Sequence, residues 1–103
     1  MIENRNVKYD ETFVNDDFNE ITFYFTADKE ILKDFNLEIP EQAVHAELSL
    51  TLPFDTQDVN SATVQISPTR EIASDIYEDF DWQKIYLSKD EIEELVKISR
   101  EFR

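Results

Sequence analysis

One histidine and twenty-four carboxylates are the side chains of this chain that could move a proton near neutral pH or hold a hard cation. His45 sits in an alternating stretch with Ser49 four residues on. On a strand the two share a face but stand about 13 Å apart at ~3.3 Å per residue, too far for a Ser–His hydrogen bond. His45 therefore reads as an exposed strand histidine. With Glu47 it offers two metal ligands on one face, and no third ligand is evident nearby. The pairs Asp79 with Asp81 and Asp16 with Asp17 could meet a cation through oxygen. A calcium loop also needs a glycine at its sharp turn and a bidentate acid at its end. Residues 75–86 lack that glycine and carry Tyr86 at the twelfth position.

What the chain lacks is as informative. It has no glycine, so phosphate-cradling loops, dinucleotide fingerprints and the serine nucleophile elbow are excluded in their usual form. It has no cysteine, so it offers no disulfide, thiolate nucleophile or thiolate metal site. The expectation is a protein that is not an enzyme and uses no cofactor or metal.

The remaining chemistry is charge. Twenty-four acids against ten bases give a formal net charge of −14 in 103 residues. No Lys or Arg occurs between Lys8 and Lys29, or between Lys33 and Arg70. Nucleic acid and anionic membrane are polyanions, so neither is expected as a direct partner. A basic protein surface is. The hydrophobic fraction, 41% with eight Phe, four Tyr and one Trp, is too high for a disordered acidic tail. The expectation is one folded domain, residues 1–103, with an acidic surface. The first residues contain no apolar core, so no secretory signal is expected, and no apolar run approaches the roughly 20 residues of a membrane span. A cytoplasmic protein is expected.

Several elements could position these acids. Residues 1–19 hold a short first strand, about 8–14, or a loosely packed arm. Residues 20–27 alternate Ile21, Phe23, Phe25 and Ala27 with Thr22, Tyr24 and Thr26, the period-two signature of a strand. Asp28 can cap a short helix through Ile31, Leu32 and Phe35; the competing reading extends Phe35, Leu37 and Ile39 up to Pro40. Residues 43–52 alternate Val44, Ala46, Leu48, Leu50 and Leu52 with His45, Glu47, Ser49 and Thr51, as in an antiparallel strand wet on one side. Pro53 stops that run, and residues 54–60 form the connection. Residues 61–67 return with Ala62, Val64 and Ile66 inward, and Pro68 ends the strand. Residues 69–82 read as an acidic connection with room for a helical turn or two, since Ile72, Ile76 and Phe80 are four apart. Residues 84–87 form a short last strand. A helix follows, with a capping box from Ser88 to Glu91 and an apolar stripe of Ile92, Leu95, Val96, Ser99 and Phe102. The fold class is α+β: an antiparallel sheet of about four strands packed against a C-terminal helix.

Two surfaces stand out for partner binding. The first comprises Glu71, Asp75, Glu78, Asp79 and Asp81, interleaved with Ile76, Tyr77, Phe80 and Trp82, with no base between Arg70 and Lys84. Acids around large aromatics suit an interface, where aromatics anchor and charges steer a basic partner. For Trp82 itself the sequence favours a core position. The second is the polar sheet face and hairpin with Glu47, Asp55 and Asp58. Carboxylates on adjacent elements can stand roughly 5–7 Å apart, comparable to phosphates along a nucleic-acid strand.

In size, acidity and its acid clusters at residues 10–20 and 71–81, the chain resembles the small acidic inhibitor proteins of phages and plasmids, DNA mimics and anti-CRISPR proteins among them. Its last 40 or so residues also look like small proteins of mobile elements in Gram-positive bacteria. The runs concerned are Val64-Gln65-Ile66-Ser67-Pro68-Thr69, Asp79-Phe80-Asp81-Trp82, Ile85-Tyr86-Leu87-Ser88 and Glu91-Ile92-Glu93-Glu94-Leu95. The resemblance implies an inhibitor that occupies the basic surface of a nucleic-acid-binding protein, with an RNA-guided nuclease as the sharpest case. It assigns no role to an individual residue. The competing expectation is an accessory or structural protein of a mobile element whose acidity serves solubility, with a homodimer through a sheet edge left open.

Overall fold

The computed structural model describes residues 6–101. Six strands form one antiparallel sheet: β1 Val7–Asn15, β2 Glu20–Asp28, β3 Ala43–Pro53, β4 Thr63–Ala73, β5 Ile76–Asp79 and β6 Gln83–Ile85. The order is β1-β2-β3-β4, with β5 and β6 sharing the far side of β4. The one α-helix among the described residues, α1 Lys89–Glu101, follows. The class is α+β as expected, with a sheet wider than four strands.

The alternating stretches become strands because pairing stacks their apolar faces. Phe23 lies opposite Leu50 and Phe25 opposite Leu48; Leu48 and Leu50 in turn lie opposite Ile66 and Val64. Phe23, Phe25, Leu48, Leu50 and Ile66 have no exposed surface. Each such side chain contributes roughly 1.5–3 kcal/mol by leaving water. The helix covers this face with Ile92, Leu95, Val96 and Ile98. Both bonds of its capping box form: the Glu91 amide donates to Ser88 Oγ at 3.2 Å, and the Ser88 amide to Glu91 Oε1 at 3.4 Å. Phe102, expected on the apolar stripe, lies outside the described residues, as do residues 1–5. The first strand forms as β1, and after Asp28 the short helix forms but stops before Phe35. A 3-10 helix, Lys29–Asp34, is capped by Asp28, and residues 35–40 then continue without regular structure.

Two expectations are corrected. Pro68 does not end its strand; β4 runs on to Ala73. The Phe80 amide donates to the Pro68 carbonyl at 2.7 Å, and the N and C=O of one antiparallel residue point to the same side. The missing proline N–H is therefore aimed at Phe80, and β3 loses nothing. The Phe80 carbonyl, deprived of that donor, accepts from Ser67 Oγ instead. The neighbouring strand is broken there. Thr69 pairs with Asp79 and Ile66 with Gln83, so one extra residue is accommodated between β5 and β6.

Residues 69–82 are not a helical connection but the end of β4, a tight turn and β5. The spacing of Ile72, Ile76 and Phe80 fits a helix, yet so short a helix is marginal alone, and pairing with β4 wins. Asp75 makes the turn at φ 60°. Without glycine, the left-handed positions fall to Asn19, Gln42, Gln57 and Asp75. Asn and Asp tolerate this region; a glutamine there carries the β-carbon penalty in full.

Candidate functional site

Strand alternation sends His45, Glu47, Ser49 and Thr51 to the sheet face away from the helix. Directly paired residues share a face, so Thr22, Tyr24 and Thr26 of β2 and Thr63, Gln65 and Ser67 of β4 join them. β1 adds Glu11 opposite Tyr24 and Phe13 opposite Thr22. β5 adds Asp79 opposite Thr69, whose hydroxyl donates to it at 2.9 Å, and Tyr77 opposite Glu71. Asp10 falls in a register shift of β1 and accepts from Thr26 Oγ1 at 2.6 Å. Four acids thus converge from three strands: Asp10, Glu11, Glu47 and Asp79.

Glu47 is at their centre. Partial burial, then the charges of Asp10, Asp79 and Glu11, push its carboxyl above the usual range. Nearby, His45 Nε2 lies 3.9 Å from Glu47 Oε1, and the His45 ring stands 6.2 Å from that of Tyr77. The two lysines of this face, Lys8 opposite Thr26 and Lys84 opposite Gln65, lie on strands β1 and β6 at the sheet margins. Because the acids come from alternate strands, their backbones stand about 10 Å apart, two strand spacings.

The first sequence-predicted surface is split by the pleat. Glu71, Tyr77 and Asp79 lie on the open face. Glu78 lies on the other and pairs with Arg70 at 3.0 Å. Asp75 occupies the turn, Phe80 is half-buried in the break between β5 and β6, and Asp81 is exposed beside it. Trp82 is not a core residue: it is 45% exposed, turned out where the register shifts opposite Pro68. Tyr77 and Tyr86 are exposed as well.

The second surface is not brought together. Asp55 and Asp58 lie beyond the far end of β3, about 20 Å along the strand from Glu47. Asp55 accepts from Asn19 Nδ2 at 3.1 Å and from the Thr56 amide at 2.8 Å, and these bonds hold its carboxyl below the usual range. Asp58 caps a 3-10 helix, Val59–Ser61, accepting from the Asn60 amide at 3.0 Å.

Asp10 and Glu11 join the site without having been singled out for it. The irregularity in β1 breaks the period-two pattern that would have assigned their faces. Among the described residues no three His, Asp or Glu side chains converge so as to hold a metal ion. No helix among them is long and apolar enough to cross a membrane. What the arrangement offers is a patch of like charge around one partly buried carboxyl, Glu47, flanked by exposed aromatics. Compared with protein-family profiles, curated proteins and solved structures, the chain gave no match.

Proposed function

We propose that this chain is a non-catalytic acidic binding protein that docks its open sheet face on the basic surface of a nucleic-acid-binding protein and so inhibits it. The observation that carries this reading is the convergence of Asp10, Glu11, Glu47 and Asp79 on one face, where partial burial and then the neighbouring charges raise the proton affinity of Glu47. A protein that concentrates like charge loses stability by it, and a basic partner relieves that repulsion on binding. The exposed Tyr77 and Trp82 stand beside the acids as candidate anchors. An RNA-guided nuclease is the sharpest case, and the cytoplasm the matching compartment.

The test is DNA binding by a guide-loaded RNA-guided nuclease with and without the purified chain, across a panel of such nucleases. Inhibition that fades as salt rises is expected, because exposed charges are screened. Inhibition of none of the panel would remove the nuclease version. Salt-insensitive inhibition would remove the electrostatic mechanism.

A second reading, acidity for solubility in an accessory protein, draws on the acids exposed elsewhere, among them Asp16, Asp17, Asp34 and Glu93. It predicts that neutralising the open face leaves function intact.

A further inference from the structure

β5 pairs with β4 along one side only, and all four of its residues are exposed, Ile76 and Tyr77 at 53% and 52%. Strand parity fixes which backbone groups face outward. Phe80 donates its amide across the ladder to Pro68, so Glu78, two residues back, also faces β4. Tyr77 and Asp79 therefore turn their amides and carbonyls away from the sheet. These groups lie on a free edge beside exposed apolar side chains, a ready template for another chain.

We propose that this edge is a strand-addition site for an extended basic segment of the partner protein. The proposal rests on the docking role proposed above and names its mode. Charge selects the occupant. Asp75, Asp79 and Asp81 flank the edge, and the nearby Arg70 is already held by Glu78. A second copy of β5 would set acids against acids across the new ladder, which destabilises it. A segment with Lys or Arg opposite Asp79 and an apolar residue opposite Tyr77 complements both side chains. Its backbone supplies affinity and its alternate side chains supply selectivity. The opposite sheet edge, β1, carries an irregularity at Asp10 with residues 11–15 in regular register beyond it, and serves as the comparison edge.

The probe is an arginine–valine alternating peptide of about ten residues, titrated into the isotope-labelled full chain. Its binding should protect the Tyr77 and Asp79 amides from hydrogen exchange. The same peptide N-methylated on the amides that face the edge should bind at least tenfold more weakly, about the loss of one or two hydrogen bonds. Equal affinity of the two peptides would overturn strand addition while leaving charge-driven docking of the open face in place. Absence of binding, protection at β1 instead, or protection that grows with chain concentration without peptide would each overturn the edge proposal. Tyr77→Pro removes an outward amide that no ladder bond uses. It should cause a similar loss in a chain whose circular dichroism is unchanged, and undiminished affinity in that folded variant would count against the proposal equally.

Discussion

Glu47 and Asp55 belong to the same strand and its following turn, and the fold treats them in opposite ways. Glu47 is half-buried among Asp10, Glu11 and Asp79, and its carboxyl is pushed up. Asp55 is exposed, accepts from Asn19 and Thr56, and is held down. At one end of the sheet an acid opposes the fold; at the other an acid completes a turn. Net charge does not distinguish them. Hydrogen-bond partners and neighbouring strands do, and only the Glu47 end carries charge in a form that a partner can relieve.

The largest expected effect is on binding. The triple variant Asp10→Asn, Glu47→Gln, Asp79→Asn should lose on the order of a hundredfold in affinity for a basic partner, roughly 1 kcal/mol for each charge. Asp55→Asn with Asp58→Asn should leave affinity within about twofold. Equal losses at both ends, measured by titration calorimetry, would erase the contrast. Next comes the scaffold under the acids. Ser67→Ala strips the Phe80 carbonyl of its donor where Pro68 supplies none, and should cost about 1–2 kcal/mol in urea unfolding. A smaller gain is expected from the left-handed glutamines. Gln42→Gly near the acid end and Gln57→Gly near the turn end should each add roughly 0.5–1 kcal/mol, because the β-carbon penalty outweighs the entropy of glycine.

The smallest effect carries the sign of the comparison. The raised Glu47 carboxyl gives no penalty below its ordinary value of 4.5, and stability is lost as pH rises from there through the higher folded value. Glu47→Gln should therefore stabilise the protein at pH 7, by about 0.5 kcal/mol once solvent screening is allowed for, and the gain should vanish on acidification. Asp55 behaves oppositely: its contribution is present above its ordinary value of 3.8 and is lost as pH falls through the lower folded value. Asp55→Asn should lower the thermal midpoint at pH 7 and not at low pH. Thermal scans of both variants from acid to neutral pH check the two signs.

The strands that carry Glu47 were legible because one apolar face leaves an unbroken period of two, as in Phe23 and Phe25 or Leu48 and Leu50. The capping box at Ser88 was legible because it is local. Pro68 misled because its tolerance depends on which neighbour its missing N–H faces, and that follows from pairing. Residues 71–81 misled because spacings of four fit a helix and a strand pair alike when apolar positions are few. The convergence of Asp10, Glu11 and Asp79 on Glu47 was the least legible. Register across five strands sets it, and the irregularity in β1 hides the face of its own acids.

The most direct test is the salt dependence of partner affinity for the native chain, the Asp10/Glu47/Asp79 variant and the Asp55/Asp58 variant, measured side by side. A steep fall with salt is expected for the native chain and the turn-end variant, and a clearly shallower one when the open face is neutralised. Three indistinguishable slopes would contradict it.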